Sequence, residues 1–158
     1  MASPGYPACE AGAPAWKQPI SVLVLIHTDA RDVLLLERAR HPGHWQSVTG
    51  SLEAAETPIE AAQRELVEET GLVIAPQRLV EWRLSNRFEI FPQWRARYAP
   101  GVTHNVEHVF SLALPEPVIV MLHAEEHCAQ RWLPWRAAAA ACFSWTNRDA
   151  ILMLGLAA

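Results

Sequence analysis

Hydrophobic and polar positions change period several times along the chain, and each change marks an element. Residues 20–26, Ile-Ser-Val-Leu-Val-Leu-Ile, are almost continuously apolar and rich in β-branched side chains, the pattern of a strand covered on both faces. A polar turn over residues 29–32 separates them from residues 33–38, which read as the returning strand. After the polar loop His41-Pro42-Gly43-His44 the period becomes helical. Thr57-Pro58-Ile59-Glu60 is a capping box with proline at the first helical position, and Ile59, Ala62 and Leu66 form the apolar stripe behind it. Gly71 is placed to end that helix in the left-handed conformation. Short apolar runs at residues 72–74 and 79–84, on either side of a turn at Pro76, predict strands. So do residues 106–114, stopped by Pro115, and residues 118–122. The last third turns helical, through an alanine-rich stretch over residues 136–143 and a final helix opening at residues 146–149 with Thr146 as its N-cap. Strands and helices alternate without a regular βαβ rhythm. That predicts an α+β arrangement, with a mixed sheet flanked by helices.

Composition narrows the class. The 158 residues suit one domain, and an apolar fraction of 51% supports a real core and excludes a disordered chain. A formal charge of −4 with no block of basic residues argues against a nucleic-acid partner. The longest apolar run is too short to span a bilayer, so no membrane association is expected. The three cysteines, Cys9, Cys128 and Cys142, are odd in number and form no CxxC pair. They read as idle thiols of a reducing compartment, and a cytoplasmic location is the expectation. Residues 1–15 are rich in proline, glycine and alanine and carry neither the basic nor the apolar region of a signal peptide. They are expected to form a flexible tail, with the domain spanning residues 16–158.

One helix carries the chemistry. Glu65, Glu68 and Glu69 stand at i, i+3 and i+4, so their carboxylates share one face. They repel each other there, and they lie towards the helix C-terminus, where the macrodipole disfavours anions. A solvated acidic face is the ordinary explanation of an isolated glutamate pair. Here two things can relieve the repulsion. Arg64 can pair with Glu68, and a hard divalent cation such as Mg²⁺ can sit among the carboxylates, keeping waters that phosphate oxygens replace.

The pattern is longer than the helix. From Gly50 through Glu56, Arg64-Glu65-Leu66, Glu68-Glu69 and Gly71-Leu72 it reads Gly-x5-Glu-x7-Arg-Glu-U-x-Glu-Glu-x-Gly-U, with U apolar. This segment resembles the Nudix box at every fixed position. The resemblance implies an α/β/α sandwich with a mixed sheet and a loop–helix–loop catalytic segment. It also implies an enzyme that cleaves a nucleoside-diphosphate-like linkage with Mg²⁺, for which Mn²⁺ can substitute. By position in the box, Glu65 and Glu69 are the main metal ligands, and Glu68 ligates a second metal or acts with them. Arg64 orients the glutamates, Gly50 permits close backbone approach, Glu56 supports the loop before the helix, and Gly71 closes it. The chain departs from the common pattern at Glu53-Ala54-Ala55-Glu56, where Ala55 stands in a place glycine often takes.

The remaining segments resemble, in order, the bacterial dihydroneopterin triphosphate pyrophosphatases of that superfamily, also described as dATP pyrophosphohydrolases. They are Trp45 to Gly50, Phe88-Glu89-Ile90-Phe91, Arg97 to Thr103, Glu126-His127, Arg131-Trp132-Leu133 and Ser144 to Arg148. The resemblance implies release of pyrophosphate from 7,8-dihydroneopterin triphosphate, an early step of folate synthesis. It makes Glu126 a further metal carboxylate, and Lys17 and Arg38 phosphate contacts. Thr49 reaches the ligand by its hydroxyl or amide. Phe88, Ile90 and Phe91 wall a flat ring whose amino and N–H groups Glu89 accepts. Ser144 and Asn147 either complete the pocket or cap a helix. Two other functions stay open: a broad pyrophosphohydrolase clearing dATP or damaged nucleotides, and a Nudix-fold binding protein without turnover. The partner is in each case a small molecule, and nothing in the sequence sets the oligomeric state.

Overall fold

The computed structural model describes residues 15–157. The expected tail over residues 1–15, and Cys9 with it, lies outside the described residues except for Ala15; Cys128 and Cys142 are both unbridged. Two strands open the fold, β1 (Ile20–Thr28) and β2 (Asp32–Arg38), and β3 (Trp45–Gln46) and β4 (Val48–Ser51) follow. Helix α1 (Pro58–Thr70) leads to the long strands β5 (Leu79–Glu89) and β6 (His104–Leu114). Strand β7 (His127–Pro134) and helices α2 (Trp135–Ala141) and α3 (Trp145–Leu156) complete the chain.

The seven strands form one mixed sheet in the order β3-β2-β1-β6-β5, with β4 on β1 and β7 on β2. β1 and β6 run parallel through nine pairs from Ile20–Val106 to Thr28–Leu114, and the other pairings are antiparallel. β1 needs no polar face because both of its faces are covered. On one side Val22, Val24 and Ile26 pack with Ala61, Ala62 and Leu66 of α1. On the other, Leu23 and Leu25 pack with Val109 and with Ala138, Ala139, Ala150 and Ile151 of α2 and α3. The α/β/α sandwich follows from these two cores. No helix among the described residues is long and apolar enough to cross a membrane.

Helix α1 forms as its sequence predicts. Thr57 and Glu60 make both bonds of the capping box, and Gly71 ends the helix at φ +70°. Four expectations need correction. Residues 72–74 and 118–122 are not strands, although Leu72, Ile74, Val118 and Leu122 do pack against the α1-side core. Around Val120 the backbone is satisfied by other means. The Gln130 side chain brackets the Val120 N–H and C=O at 2.8 Å each, the Met121 N–H donates to the Thr70 carbonyl, and Trp132 Nε1 donates to the Val118 carbonyl. β5 runs five residues beyond the expected 79–84, carrying Phe88 and Glu89 into the sheet. The N-cap of α3 is Ser144, whose hydroxyl accepts from the Asn147 N–H, while Thr146 lies buried inside the first turn. β7, unforeseen in its mixed sequence HCAQRWLP, is held by antiparallel pairing with β2 from Asp32–Pro134 to Arg38–His127, with one bulge at Cys128.

Candidate active site

The buried face of α1 holds carboxylates among its apolar residues. Glu65 and Glu69 are buried beside Ala61, Ala62 and Leu66, whereas Glu68 is exposed. β4 makes room for them. A Cβ on Gly50 would lie 1.8 Å from Glu65 Oε1, so only glycine lets the strand pass this close. Arg64 ties the region together. Its Nε and Nη2 grip the two oxygens of Glu56 at 2.7 and 2.9 Å, and Nη1 reaches Glu65 at 2.8 Å and Glu68 at 3.3 Å. Nη2 also donates to the Ser51 carbonyl. Glu56 in turn accepts from the Glu53 N–H, closing the loop before the helix. Arg64, Gly50 and Glu56 thus meet in one network of contacts around the helix that Gly71 closes. Ala55 occupies the left-handed region at φ +62°, where a side chain is strained and glycine is not.

The carboxylates pay for burial in their titration. Desolvation pushes Glu65 up to about 7, against the opposing pull of Arg64 and with help from the neighbouring Glu69 charge. Desolvation also raises Glu69, opposed by His127 and by the nearby Thr49 backbone N–H. Glu69 Oε2 and His127 Nε2 are 3.1 Å apart, but they are poorly aligned. Neither atom has a hydrogen-bond partner among the described residues. The turn before β7 brings Glu126 to the same spot, and ligand atoms of Glu69, Glu126 and His127 all lie within 4.8 Å of one another. Two carboxylates and an imidazole, two of the three residues deeply buried and with orphaned polar atoms, fit a divalent cation. Glu65 stands beside this group but is turned onto Gly50 and Arg64. The cluster the structure assembles is therefore Glu69, Glu126 and His127, and sequence reasoning had left His127 without a role.

A cleft of about 1130 Å³ opens over this cluster. Lys17, Arg38 and Arg97 line it together with Glu65, Glu69 and Glu126, close enough for Lys17 and Arg38 to feel those charges. Burial and the neighbouring arginines lower Lys17 to about 8, while the charges of Glu65 and Glu126 act to raise it. Arg38 is lowered chiefly by burial and by Arg97, and its guanidinium lies 5.4 Å from the Trp94 ring centre. Three cations and three carboxylates in one cleft suit a polyanion that binds together with a divalent cation. Arg97 opens one of the segments that carry the family resemblance, which by itself implies no role for it. Nothing in sequence spacing places it beside Lys17, whose N–H donates to the Arg97 carbonyl.

Aromatic rings line the same cleft. Phe91 meets Trp94 edge-on at 5.2 Å, and Phe143 stacks on His44 at 3.9 Å. Phe88 is half-buried in the wall, and Ile90 is buried, its N–H bonded to the Thr103 carbonyl. Glu89 borders the cleft, but its carboxylate is already engaged by Arg95. The Thr49 hydroxyl is also committed, donating to the Val22 carbonyl. Ser144 and Asn147 act as a capping pair. Asn147 Nδ2 donates to Ser144 Oγ at 2.9 Å, and its Oδ1 accepts from the Ser47 N–H at 2.8 Å. Sequence reasoning missed Glu107, a buried carboxylate on β6 that lines the cleft. A signal was present, since Asn105, Glu107 and Ser111 fall at alternate positions on the same face of β6 as Val109.

Comparison with known proteins agrees with this geometry. Residues 17–154 match the model of the NUDIX domain. The chain is 48% identical over 139 residues to the dihydroneopterin triphosphate diphosphatase of Escherichia coli K12, covering 86% of this chain and 91% of that protein. It is 41% identical to the protein of the same name from Haemophilus influenzae, over 86% and 87% of the two lengths. The solved structure of the E. coli dihydroneopterin triphosphate pyrophosphohydrolase superposes with a TM-score of 0.83 at 44% identity, covering 90% of this chain and 99% of that one.

Proposed function

The chain belongs to the Nudix family and is a Nudix hydrolase, and on that premise we propose that it hydrolyses 7,8-dihydroneopterin triphosphate to the monophosphate and pyrophosphate with Mg²⁺, in folate synthesis. One observation carries the reading. The Glu69–Glu126–His127 cluster, with orphaned atoms on Glu69 and His127, and the Lys17, Arg38 and Arg97 cations line one cleft, in a chain 48% identical to a diphosphatase of that name.

The residues divide the work. Lys17, Arg38 and Arg97 bind and orient the triphosphate, and the aromatic wall takes the ring. Glu69 and Glu126, with Glu65 and Glu68 adjacent, would hold Mg²⁺, for which Mn²⁺ can substitute. Such an ion supplies charge neutralisation and an acidified water. Arg64 holds Glu65 in place and leaves Glu68 loosely tethered, by a single contact of 3.3 Å. Glu68 is thereby free to turn towards the attacking water and accept its proton as the new P–O bond forms and pyrophosphate leaves.

Initial rates of pyrophosphate release from dihydroneopterin triphosphate, dATP, dGTP and ADP-ribose test this. The expected result is a kcat/KM for the pterin at least roughly tenfold above the others, about 1.4 kcal/mol at the transition state. Comparable release from dATP would instead make the protein a nucleotide-clearing enzyme.

A further inference from the structure

The metal cluster and the cations leave one part of the cleft unexplained. On β6, Glu107 is 4% and Asn105 2% exposed, and both line the cleft. Asn105 Nδ2 donates to Ser21 Oγ at 2.7 Å, which turns its carbonyl oxygen the other way. Asn105 Oδ1 and Glu107 Oε1 are both buried without a hydrogen-bond partner among the described residues. Among the described residues Glu107 pairs with no cation, and Thr146 is the hydroxyl beside it. Buried acceptors without donors are costly. A floor built from a carboxylate and an amide oxygen is satisfied by a ligand edge that presents adjacent N–H donors.

Position in the sheet puts this floor at a useful distance. Ser21 of β1 is in register with Ser51 of β4 on one side and with Glu107 of β6 on the other. Two interstrand steps make roughly 10 Å between Ser51 and Glu107. Ser51 adjoins Gly50, the residue against which Glu65 is packed. A flat ring at Glu107 and a phosphate chain at the carboxylate helix therefore lie one short linker apart.

We infer that Glu107, with Asn105, determines ring specificity by accepting hydrogen bonds from the N–H and amino edge of a 2-amino-oxo heterocycle, the edge that pterins and guanine share and adenine lacks. This inference rests on the pyrophosphohydrolase reading above and deepens it. Glutamine at position 107 would lose one acceptor and gain a donor, a pairing suited to adenine.

Two measurements test it. Glu107→Gln is compared with the unaltered protein for kcat/KM on dihydroneopterin triphosphate and dATP with Mg²⁺. The ratio of the two is expected to fall at least roughly tenfold. An unchanged ratio would overturn the inference. The second measurement needs no variant, and it decides the matter if Glu107→Gln does not fold. Calorimetric titration of the unaltered protein with GMP and with AMP should show GMP binding at least roughly fivefold tighter, because AMP leaves the acceptors unpaired. Equal affinities would overturn the inference as surely as an unchanged ratio. Absence of pyrophosphate release from the pterin, with the GMP preference intact, would instead refute the proposed reaction and leave the ring-reading site standing.

Discussion

At the scale of single residues, the site is organised by one arginine and strained at one alanine. Arg64 bonds Glu56, Glu65, Glu68 and the Ser51 carbonyl at once. Arg64→Ala would leave two partly buried carboxylates unpaired. It is expected to lower stability by about 3 kcal/mol in urea unfolding, and to lower kcat by at least roughly a hundredfold. Ala55, at φ +62°, sits where the family pattern often has glycine. Ala55→Gly relieves the left-handed strain and gives back some unfolded-state entropy. The net expected effect is stabilisation by about 0.5–1 kcal/mol with activity unchanged, read by thermal melting and initial rates. Loss of stability on that substitution would show that the strain is absorbed elsewhere in the loop.

At the scale of elements, what could be read from the sequence was what local chemistry specifies. Helix α1 announced its own cap, stripe and glycine stop, and β1 announced a doubly buried strand, because each signal lies within a few neighbouring residues. The failures share a different cause. Residues 118–122 look like a strand, but their backbone is satisfied by Gln130 and Trp132, side chains ten or more positions away. β7 has little alternation, and its partner β2 supplies the pairing that its sequence does not advertise. The carboxylates of α1 were legible for the same local reason. His127 and Arg97 were not, since only tertiary packing brings them to the cleft. Contact between elements also yields a prediction. Gly50→Ala places a Cβ where Glu65 Oε1 now lies, and that carboxylate is the far end of a movable side chain. The fold should survive, with a change of about 1 kcal/mol or less, while kcat falls by roughly ten- to a hundredfold. An active Gly50→Ala protein would show that Glu65 does not need its present position.

Across the whole molecule, the buried acids make stability depend on pH and metal together. Glu65 and Glu107 are each pushed up to about 7 by burial, and Glu69 is raised by the same cause. Unfolded, these groups titrate near the ordinary carboxylate value of about 4.5. Between the two values the folded chain binds more protons than the unfolded one, so stability falls as pH rises through that window and levels off above it. For Glu107 alone the loss is on the order of 3 kcal/mol. The metal-free protein should therefore melt at a higher temperature near pH 5 than near pH 8, and Glu107→Gln should flatten that dependence. Mg²⁺ acts in the opposite sense, because its ligands must be deprotonated. Its addition should raise the melting temperature more near pH 8 than near pH 5.

The account centres on the carboxylates of one helix acting on a triphosphate bound in the cleft above them. Its most direct test is Glu69→Gln beside the unaltered protein, with kcat for pyrophosphate release from dihydroneopterin triphosphate read at saturating Mg²⁺ and the affinity for substrate read separately. Glutamine keeps the shape of a side chain that is 1% exposed and removes its charge. The predicted result is a fall in kcat of at least roughly a thousandfold, with the chain folded and substrate affinity within a few-fold of the unaltered value. Turnover by Glu69→Gln at the unaltered rate would contradict the claim that this cluster carries the reaction.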